Sequence, residues 1–274
     1  MIKFGSTSVA ECFRLGQEAA DAATRLFRDP VKLEFEKIFH PYFLFAKKRY
    51  CGVKITALDA DGNPADPALD FKGIQLARRD NCPLVRDVSR EVLDALMFRR
   101  DRDDAVRVVR GAARDLLEGR VPVDRLVLSK TLKPESAYKN PNQPHVHVAR
   151  RIEARNGVAG SGPRSGERVP YVFVDAEDPA ALQYTKAEDP AHVAEAGLRV
   201  DALYYLEHQL ESPMIALFEL LMDDPQRVLF DDLKRGHVEA RKAEIKEYKR
   251  VQKLKKEGLK DIRSFFKKKP VEES

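Results

Sequence analysis

The first part of the chain alternates between helical and strand-type patterns of apolar residues. Apolar side chains recur at helical spacing in STSVAECFRLGQEAADAATRLF, and Ser8 followed by Glu11 predicts a capping box at its start. Pro30 separates this helix from VKLEFEKIF, where apolar and charged residues alternate as in a half-buried strand. After a break at Pro41, RYCGVKIT predicts one arm of a hairpin and DADGNP its turn. We therefore expect strands packed under a helix.

From Pro83 onward the pattern becomes mainly helical. Apolar stripes at helical spacing run through PLVRDVSREVLDALMF, DDAVRVVRGAARDLLEG and HVHVARRIEARNG, and DALYYLEHQLESPMIALFELLM predicts two helices interrupted at Pro213. Of two shorter pieces, VDRLVLSKTL predicts a short strand or extended chain, and RVPYVFVDA predicts a strand. A charged helix follows from about Lys234 to Lys256 and ends at Gly258. The order of elements predicts an α+β piece, a larger helical piece and a charged tail.

Length and cysteine usage limit the class of protein. The 274 residues suffice for one large or two ordinary domains. No apolar run approaches the roughly 20 residues of a membrane span, so no membrane partner is expected. The three cysteines, Cys12, Cys51 and Cys82, lie far apart without metal-binding spacing. This usage favours a reducing, cytosolic-type compartment and argues against a zinc or iron–sulfur site.

The positive charge is concentrated near the C-terminus. Residues 234–270 hold 15 of the 49 Lys and Arg but only 5 of the 44 Asp and Glu, which leaves 34 basic and 39 acidic residues elsewhere. A basic tail suggests a polyanionic partner, although a solvated helix would show the same composition.

One further cationic cluster interrupts the segment YFLFAKKRYCGVKI, which otherwise reads as strand. Alternation along a strand would place Lys47 and Arg49 on one face and Lys48 and Tyr50 on the other. Since burying three unpaired cations is very costly, at least one face must meet solvent or anions. Two interpretations stay open: a groove that tracks nucleic acid, or a sheet edge protected by lysines.

The sequence contains no self-contained active site. The DADGN segment lacks the sixth-position Gly and the twelfth-position Glu of a calcium loop, so we expect a hairpin turn. His145 and His147 stand two residues apart on a predicted helix, and surface histidines are expected there. Neither a nucleophile elbow nor a glycine-rich phosphate loop occurs. We therefore assign no catalytic and no metal-binding residue.

Four segments taken in order carry a resemblance to a known family. LEFEKIFHPYFLFAKKRYCG, GIQLARRDNCPLVRD, SGERVPYVFV and DALYYLEHQLESPMIALFE together resemble the C-terminal part of a family B DNA polymerase, of the delta type and its viral relatives. The similarity runs from Met1 to about residue 222. It implies an α+β fold in which residues 1–75 are the end of the palm sheet, residues 76–232 a mainly helical thumb, and residues 233–274 a basic, helical or disordered tail.

The resemblance also implies which residues contact DNA. The cluster at Lys47 would be the family's Lys-Lys-Arg-Tyr motif against the minor groove of the nascent duplex, and Glu34 and Glu36 would lie on the strand facing the catalytic centre. ARRDNCP would mark the passage into the thumb. The residues implied to bind DNA are Lys47, Lys48, Arg49, Tyr50, Arg78, Arg79, Lys130, Tyr138, Arg168 and Tyr171. Such contacts position a duplex without reading its sequence.

Catalysis is expected to depend on residues outside this sequence. The family's catalytic aspartates belong to a Tyr-Gly-Asp-Thr-Asp-Ser motif just before the position of Met1 and to an earlier motif. Two-metal phosphoryl transfer needs paired carboxylates that hold Mg²⁺, so we expect the ligands of Mg²⁺ elsewhere and the isolated chain to be inactive. The missing N-terminal polymerase half is accordingly an expected partner.

The tail contains a segment similar to a clamp-binding box. In LKDIRSFFKKKP, Ile262 stands three positions before Phe265, and Phe266 follows, although Leu259 replaces the usual Gln. This apolar triad would enter a pocket of a sliding clamp. The four-cysteine clusters that usually end delta-type chains are absent after Cys82.

The resemblance thus predicts the palm-end and thumb portion of a delta-like replicative polymerase, a DNA-directed nucleotidyltransferase. Its partners would be primer–template DNA, a sliding clamp and the missing half, in the nucleus or at a viral replication site. The alternative is a non-catalytic DNA- and clamp-binding protein derived from a polymerase remnant.

Overall fold

The computed structural model describes residues 2–74, 81–158 and 160–256. The chain divides into two compact units. The first unit comprises Met1–Arg78, Arg86–Val109 and Pro213–Asp223, and the second comprises Arg79–Val85, Arg110–Ser212 and Asp224–Ser274. The assignment of residues 1–75, 76–232 and 233–274 to palm, thumb and tail stays a prediction, because spatial units do not identify functional domains.

The first unit begins with a helix that leads to a three-stranded antiparallel sheet. Helix α1 spans Val9–Thr24, and the strands are β1 (Ile38–Ala46), β2 (Arg49–Ile55) and β3 (Ala68–Lys72), in the order β1-β2-β3. Alternate residues of β2, namely Cys51, Val53 and Ile55, are buried because they point to the face that forms the core of this unit.

The start of α1 confirms half of the predicted capping box. The Ser8 hydroxyl accepts a hydrogen bond from the backbone N–H of Glu11 at 3.3 Å. The reciprocal contact differs, since the Glu11 carboxylate accepts from the Ser6 hydroxyl at 2.6 Å and Ser6 in turn accepts from the Ser8 N–H at 3.1 Å. The Ser6 hydroxyl therefore accepts the hydrogen bond from the Ser8 N–H that a capping box assigns to the Glu11 carboxylate.

The first strand lies later in the chain than its alternation predicts. Residues 31–37 form no strand, so Glu34 and Glu36 precede β1 and do not lie on it. The expected break at Pro41 is also wrong, because β1 continues through Pro41 with an irregular register between Phe39 and Tyr42. A bulge accommodates the missing N–H of proline within an edge strand, which is where sheets tolerate this residue.

The predicted turn between the second and third strands is confirmed. Asp59 N–H donates to the Asn63 carbonyl at 2.8 Å, and the Asp59 carboxylate accepts from the N–H groups of Asp61 and Asn63 at 3.0 and 2.8 Å. The Asp59 carboxylate therefore accepts hydrogen bonds within the turn, as expected for a hairpin turn and not for a calcium loop.

Two further helices follow the sheet in sequence. Helix α2 spans Pro83–Asp94 and widens into a π-helical turn, Ala95–Arg99, while α3 spans Arg102–Leu117. Both were predicted from their apolar stripes, which supply buried residues such as Val92, Leu93 and Val109.

The second unit contains another small antiparallel sheet with helices around it. Its strands are β4 (Leu128–Thr131), β5 (Arg168–Phe173) and β6 (Ala187–Glu188), in the order β4-β5-β6. Its α-helices are α4 (Pro144–Asn156), α5 (Pro190–Ala196), α6 (Ala202–Tyr205) and α8 (Asp232–Lys256). Short 3₁₀ turns occupy Val123–Leu126, Glu135–Ala137 and Gln183–Lys186.

The interruption expected at Pro213 lies one turn earlier. After α6 the chain forms a π-helical turn, Leu206–Leu210, and continues without a break into α7, Glu211–Phe218. Because proline lacks an N–H and crowds the carbonyl four residues before it, the wider turn ahead of Pro213 lets the helix continue. A second π-helical turn, Arg227–Asp231, leads into α8.

Candidate nucleic-acid interface

The cationic cluster forms a tight turn and not the middle of a strand. Ala46 pairs with Arg49 across β1 and β2, so Lys47 and Lys48 are the two residues of a hairpin turn. Lys48 has a φ of 64°, in the left-handed region that hairpin turns of this length require. Adjacent strand ends therefore present both ammonium groups beyond the end of the sheet.

A glycine permits the third strand to approach this turn. Gly73 has a φ of 66°, and a side chain at this position would overlap the backbone carbonyl of Lys48. No other residue type fits both conditions, because a Cβ disfavours positive φ and needs space. The turn is thus supported from the neighbouring strand end.

All three cations of the cluster are exposed to solvent. Within the described ranges, neither Lys47 nor Lys48 nor Arg49 forms an ion pair or a side-chain hydrogen bond. The expected alternation of faces is wrong for the two lysines, since turn residues do not follow the pleat. It holds for Arg49 and Tyr50, which begin β2 and point to opposite faces.

Tyr50 belongs to an aromatic cluster on the sheet face opposite the core. Its ring centroid lies 5.7 Å from that of Phe39 and 5.6 Å from that of Tyr42. Burial, followed by the nearby Tyr50 and Cys51, raises the pKa of Tyr42. The rings of Phe39, Tyr42 and Tyr50 therefore pack against one another next to the turn of Lys47 and Lys48.

Lys72 is a member of this surface that the sequence analysis missed. It is exposed at the end of β3 and pairs directly with Tyr50 of β2. Side chains of directly paired residues lie about 5 Å apart on one face of a sheet. Lys72 lies beside Tyr50 only because β2 and β3 pair. In the sequence, its position directly before Gly73 was the one feature that could have indicated a strand end there.

A large open groove of about 1000 Å³ lies in the same unit. Residues from the chain start, α1, the segment before β1 and β1 itself form its walls, including Ile2, Phe4, Val9, Leu33, Phe39 and Leu44. Three of these apolar side chains are strongly exposed, Ile2 at 67%, Leu44 at 58% and Leu33 at 42%. The groove is an apolar surface without a partner in the described part of the chain.

The second unit presents the other candidate contacts on two faces of its sheet. Lys130 pairs with Val169 and Leu128 pairs with Tyr171, so Lys130 and Tyr171 share one face. Arg168 pairs with Thr131 and points to the opposite face. Its guanidinium donates to the carbonyl and hydroxyl oxygens of Ser129 at 2.6 to 3.1 Å.

Tyr138 is half-buried and its hydroxyl is engaged inside the protein. This oxygen accepts from the Lys133 N–H at 2.7 Å and lies 2.9 Å from Nε2 of His145. His145 is 1% exposed, so the expectation of a surface histidine is wrong for this residue. Burial, with a smaller effect of the Lys130 charge, lowers the pKa of His145 to about 4.

Several predicted site residues fall on parts of the chain that the structure does not describe. Arg78 and Arg79 lie outside the described residues, as do Ile262, Phe265 and Phe266 of the clamp-type box. Within residues 2–74, 81–158 and 160–256, no group of three or more His, Cys, Asp or Glu side chains could hold a metal ion. No helix in these ranges is long and apolar enough to cross a membrane.

Comparisons with known proteins agree on one family. The model of DNA polymerase family B matches residues 1–221. A DNA polymerase of Paramecium bursaria Chlorella virus NY2A is 38% identical over 265 residues, which cover 94% of this chain and 28% of the viral protein. The DNA polymerase delta catalytic subunit of Bos taurus is 41% identical over 224 residues, which cover 82% of this chain and 20% of the bovine protein.

A solved structure supports the fold. The family B DNA polymerase from the archaeon Pyrobaculum calidifontis superposes with a TM-score of 0.53 at 24% sequence identity, over 74% of this chain and 25% of the archaeal chain. The chain therefore spans about a fifth to somewhat more than a quarter of the length of these relatives. On the match of residues 1–221 and the identity to both relatives, the chain belongs to DNA polymerase family B.

Proposed function

We propose that the chain is the palm-end and thumb portion of a delta-like replicative DNA polymerase and that it grips the primer–template duplex during DNA-templated DNA synthesis. The observation that carries the proposal is the turn of Lys47 and Lys48, exposed and free of ion pairs within the described residues, beside Tyr50. Ammonium groups at the end of a sheet suit phosphate oxygens or minor-groove acceptors, and the aromatic ring suits a sugar. The relatives named as DNA polymerases supply the context.

Lys72 extends this proposed contact surface. Together with the turn it surrounds Tyr50 with three exposed ammonium groups, one from the end of β3 and two from the turn between β1 and β2. Cations arranged around a ring bind a polyanion without selecting a base sequence, as a replicative enzyme requires.

In the second unit, Lys130 and Tyr171 are the proposed partners of the duplex on their shared sheet face. Tyr138 acts in this proposal through its position and not through its hydroxyl, because that oxygen already bridges Lys133 and His145. It supports the segment that follows β4.

The described residues do not fit the Mg²⁺ ions that the family uses. No three acidic or other ligating side chains converge in the described part of the chain. Glu36, which lies before β1, has its carboxylate 3.1 Å from the Lys37 ammonium. We therefore propose that the chain alone is inactive and that another polypeptide segment contributes the metal-binding carboxylates, at a site of DNA replication in the nucleus or in a viral replication centre.

The proposed position for that segment is the apolar groove of the first unit. The groove exposes Ile2, Leu33 and Leu44, and β1 forms one edge of its sheet with no further strand in the described ranges. An unpaired edge beside an apolar groove invites a strand and the side chains that accompany it. The relatives are much longer than the matched part, and the proposed segment would correspond to a part of them outside the match.

A complementation experiment tests this assignment. The chain would be mixed with the remaining N-terminal part of the Chlorella virus polymerase, and extension of a labelled primer–template would be followed with Mg²⁺. We expect extension only in the mixture, together with a higher melting temperature of the chain. No complex and no extension would favour a non-catalytic DNA-binding protein.

DNA binding by the chain itself is tested by a salt series. Lys47→Ala/Lys48→Ala should reduce the slope of log K against log salt by about 1.8, the value for two phosphate contacts. Arg28→Ala/Lys32→Ala removes two exposed cations from the same unit and serves as the matched control. Equal slopes for both variants would contradict the proposed contact.

The clamp-type box remains part of the proposal. Ile262, Phe265 and Phe266 would bind an apolar pocket of a sliding clamp, with the following lysines beside acidic surface. Loss of clamp pull-down in Phe265→Ala/Phe266→Ala, with retained binding in Lys268→Ala, is the expected result.

A further inference from the structure

Helix α8 is anchored to the second unit through charged side chains near its start. The Lys234 ammonium lies 2.6 Å from the Glu211 carboxylate, and Arg241 donates to Asp201 at 3.0 and 3.2 Å. The Asp232 carboxylate accepts from the Arg110 guanidinium at 2.6 and 2.9 Å. These three contacts fix the orientation of the helix on this unit.

A different face of α8 carries a row of cations. With 100° per residue, Lys242, Lys246 and Lys249 fall within an arc of about 60°. Arg235 and Lys253 lie in the same arc and lengthen the row to about 27 Å at 1.5 Å per residue. All five side chains are exposed. We call Arg235, Lys242, Lys246, Lys249 and Lys253 the basic ridge.

The lysines at the centre of the basic ridge have no anionic partner within the described residues. Lys242, Lys246 and Lys249 form no ion pair or side-chain hydrogen bond there. Two of the nearby carboxylates are used by other cations, since Glu244 lies 3.9 Å from Arg241 and Glu247 lies 3.4 Å from Arg250. Glu239, which is exposed, borders the ridge only between Arg235 and Lys242.

Helix stability does not explain this arrangement. Like charges spaced three or four residues apart repel and destabilise a helix by about 0.2–0.5 kcal/mol per pair. A helix selected only to be soluble would alternate the sign of charge along such a face. The unfavourable spacing of Lys242, Lys246 and Lys249 therefore points to an external anion that neutralises these three lysines.

The position of α8 in the chain places this feature outside the family's shared part. The family model ends at residue 221, before α8 begins at Asp232. The viral relative covers 94% of this chain, more than residues 1–221 amount to, so its similarity extends beyond that limit. The ridge thus belongs to an addition to the common polymerase part.

We propose that the basic ridge of α8 binds the phosphate backbone of duplex DNA, as a second sequence-independent contact besides the turn at Lys47 and Lys48. The inference rests on the proposed function for the identity of the polyanion. A row of lysines on one helix face, without exposed apolar side chains within it, contacts phosphates and leaves bases unread. A membrane-surface helix would need apolar residues beside its cations to enter the lipid.

The first arm of the test compares two double variants of the full chain. Lys246→Gln/Lys249→Gln removes two cations from the ridge, and Arg250→Gln/Lys255→Gln removes two exposed cations from other faces of the same helix. The net charge changes equally in both. The control also frees Glu247, which biases the comparison against the proposal.

Binding to a fluorescein-labelled primer–template of mixed sequence would be measured by anisotropy across a salt series. We expect the ridge variant to bind about tenfold more weakly near 0.1 M salt and to lose about 1.8 from the slope of log K against log salt. The control variant should stay within about twofold of the unchanged chain. Circular dichroism of both variants shows whether α8 is retained.

Two results would overturn the inference. Equal weakening of both variants would mean that only net charge matters, and no weakening of the ridge variant would mean that the ridge faces solvent or another partner. The Lys47→Ala/Lys48→Ala variant separates this failure from that of the proposed function. If that variant loses binding while the ridge variant does not, the proposed function stands and the ridge assignment falls.

Discussion

Arg241 in α8 and Asp201 at the start of α6 form a charged contact in which one carboxylate serves two elements. The Arg241 guanidinium donates to both oxygens of Asp201 at 3.0 and 3.2 Å. The same carboxylate accepts from the Tyr204 N–H at 3.0 Å and thereby caps α6. The Asp201 side chain is only 2% exposed, and Arg241 is the cation that compensates this buried carboxylate.

We therefore expect Arg241→Met to lower the free energy of unfolding by about 2–3 kcal/mol, because it leaves a buried carboxylate without its cation. Urea unfolding followed by circular dichroism measures the change. Arg250→Met, which removes an exposed cation of the same helix, should change stability by about 0.5 kcal/mol or less. The double variant Asp201→Asn/Arg241→Met should recover part of the stability lost in Arg241→Met. If the changes in the free energy of unfolding of the two single variants simply add, the coupling between Asp201 and Arg241 is contradicted.

Gly16 and Phe35 provide a test of packing in the first unit. Gly16 is the buried residue of α1, and a Cβ there would overlap the ring of Phe35, whose centroid lies 5.2 Å from that of Phe13. Gly16→Ala should therefore destabilise by about 1–3 kcal/mol although alanine favours helix formation.

Gly111 in α3 is the matched control, because nothing lies within 4 Å of its added Cβ. Gly111→Ala should raise stability by up to about 1 kcal/mol. The melting temperatures of both variants measure these changes. A higher melting temperature of Gly16→Ala would show that the Phe35 ring has room to move away.

His145 predicts a pH dependence of folding. Its pKa is about 4 in the folded chain, below the ordinary value of 6.5, because the imidazole is buried. The unfolded chain thus binds a proton in a range where the folded chain does not. The free energy of unfolding is therefore highest above about pH 6.5 and decreases as the pH falls towards 4, by about 3 kcal/mol in total.

Unfolding measured from pH 7.5 to 4 in the unchanged chain and in His145→Gln isolates this contribution. The free energy of unfolding of the unchanged chain should fall more steeply between pH 7.5 and 4 than that of His145→Gln. An NMR titration should give the low pKa of His145 directly. Lys130→Ala should raise the pKa of His145, because it removes a nearby positive charge. An imidazole that titrates near 6.5 in the folded chain would exclude its burial.

The two faces of the second sheet lead to different expectations for DNA binding. Lys130→Ala should weaken binding to a primer–template and lower the salt slope by about 0.9, as for one phosphate contact. Arg168→Ala should lower the slope less than Lys130→Ala does, because Nε and Nη2 of Arg168 already donate to Ser129. Anisotropy in a salt series measures both. An equal reduction of the slope in both variants would support the sequence-based prediction that Arg168 contacts DNA.

Local sequence patterns predicted many elements but misplaced those that depend on distant contacts. The apolar stripes of α2, α3 and α4 predict these helices because helical periodicity is local. The alternating segment before β1 is not a strand, since alternation by itself provides no neighbouring strand to hydrogen-bond with. The π-helical turn ahead of Pro213 likewise reflects how the longer helix accommodates that proline.

The sequence by itself determined the family, the cationic cluster and the basic character of the tail, because motif order and charge are properties of the chain. Only the tertiary structure decided that Lys47 and Lys48 form a turn, that Lys72 joins Tyr50, and that Arg168 faces away from Lys130. It also buried His145 and separated the anchoring cations of α8 from the basic ridge. The physical reason is that strand pairing and helix docking bring together residues from distant parts of the chain, and no local pattern encodes those pairings.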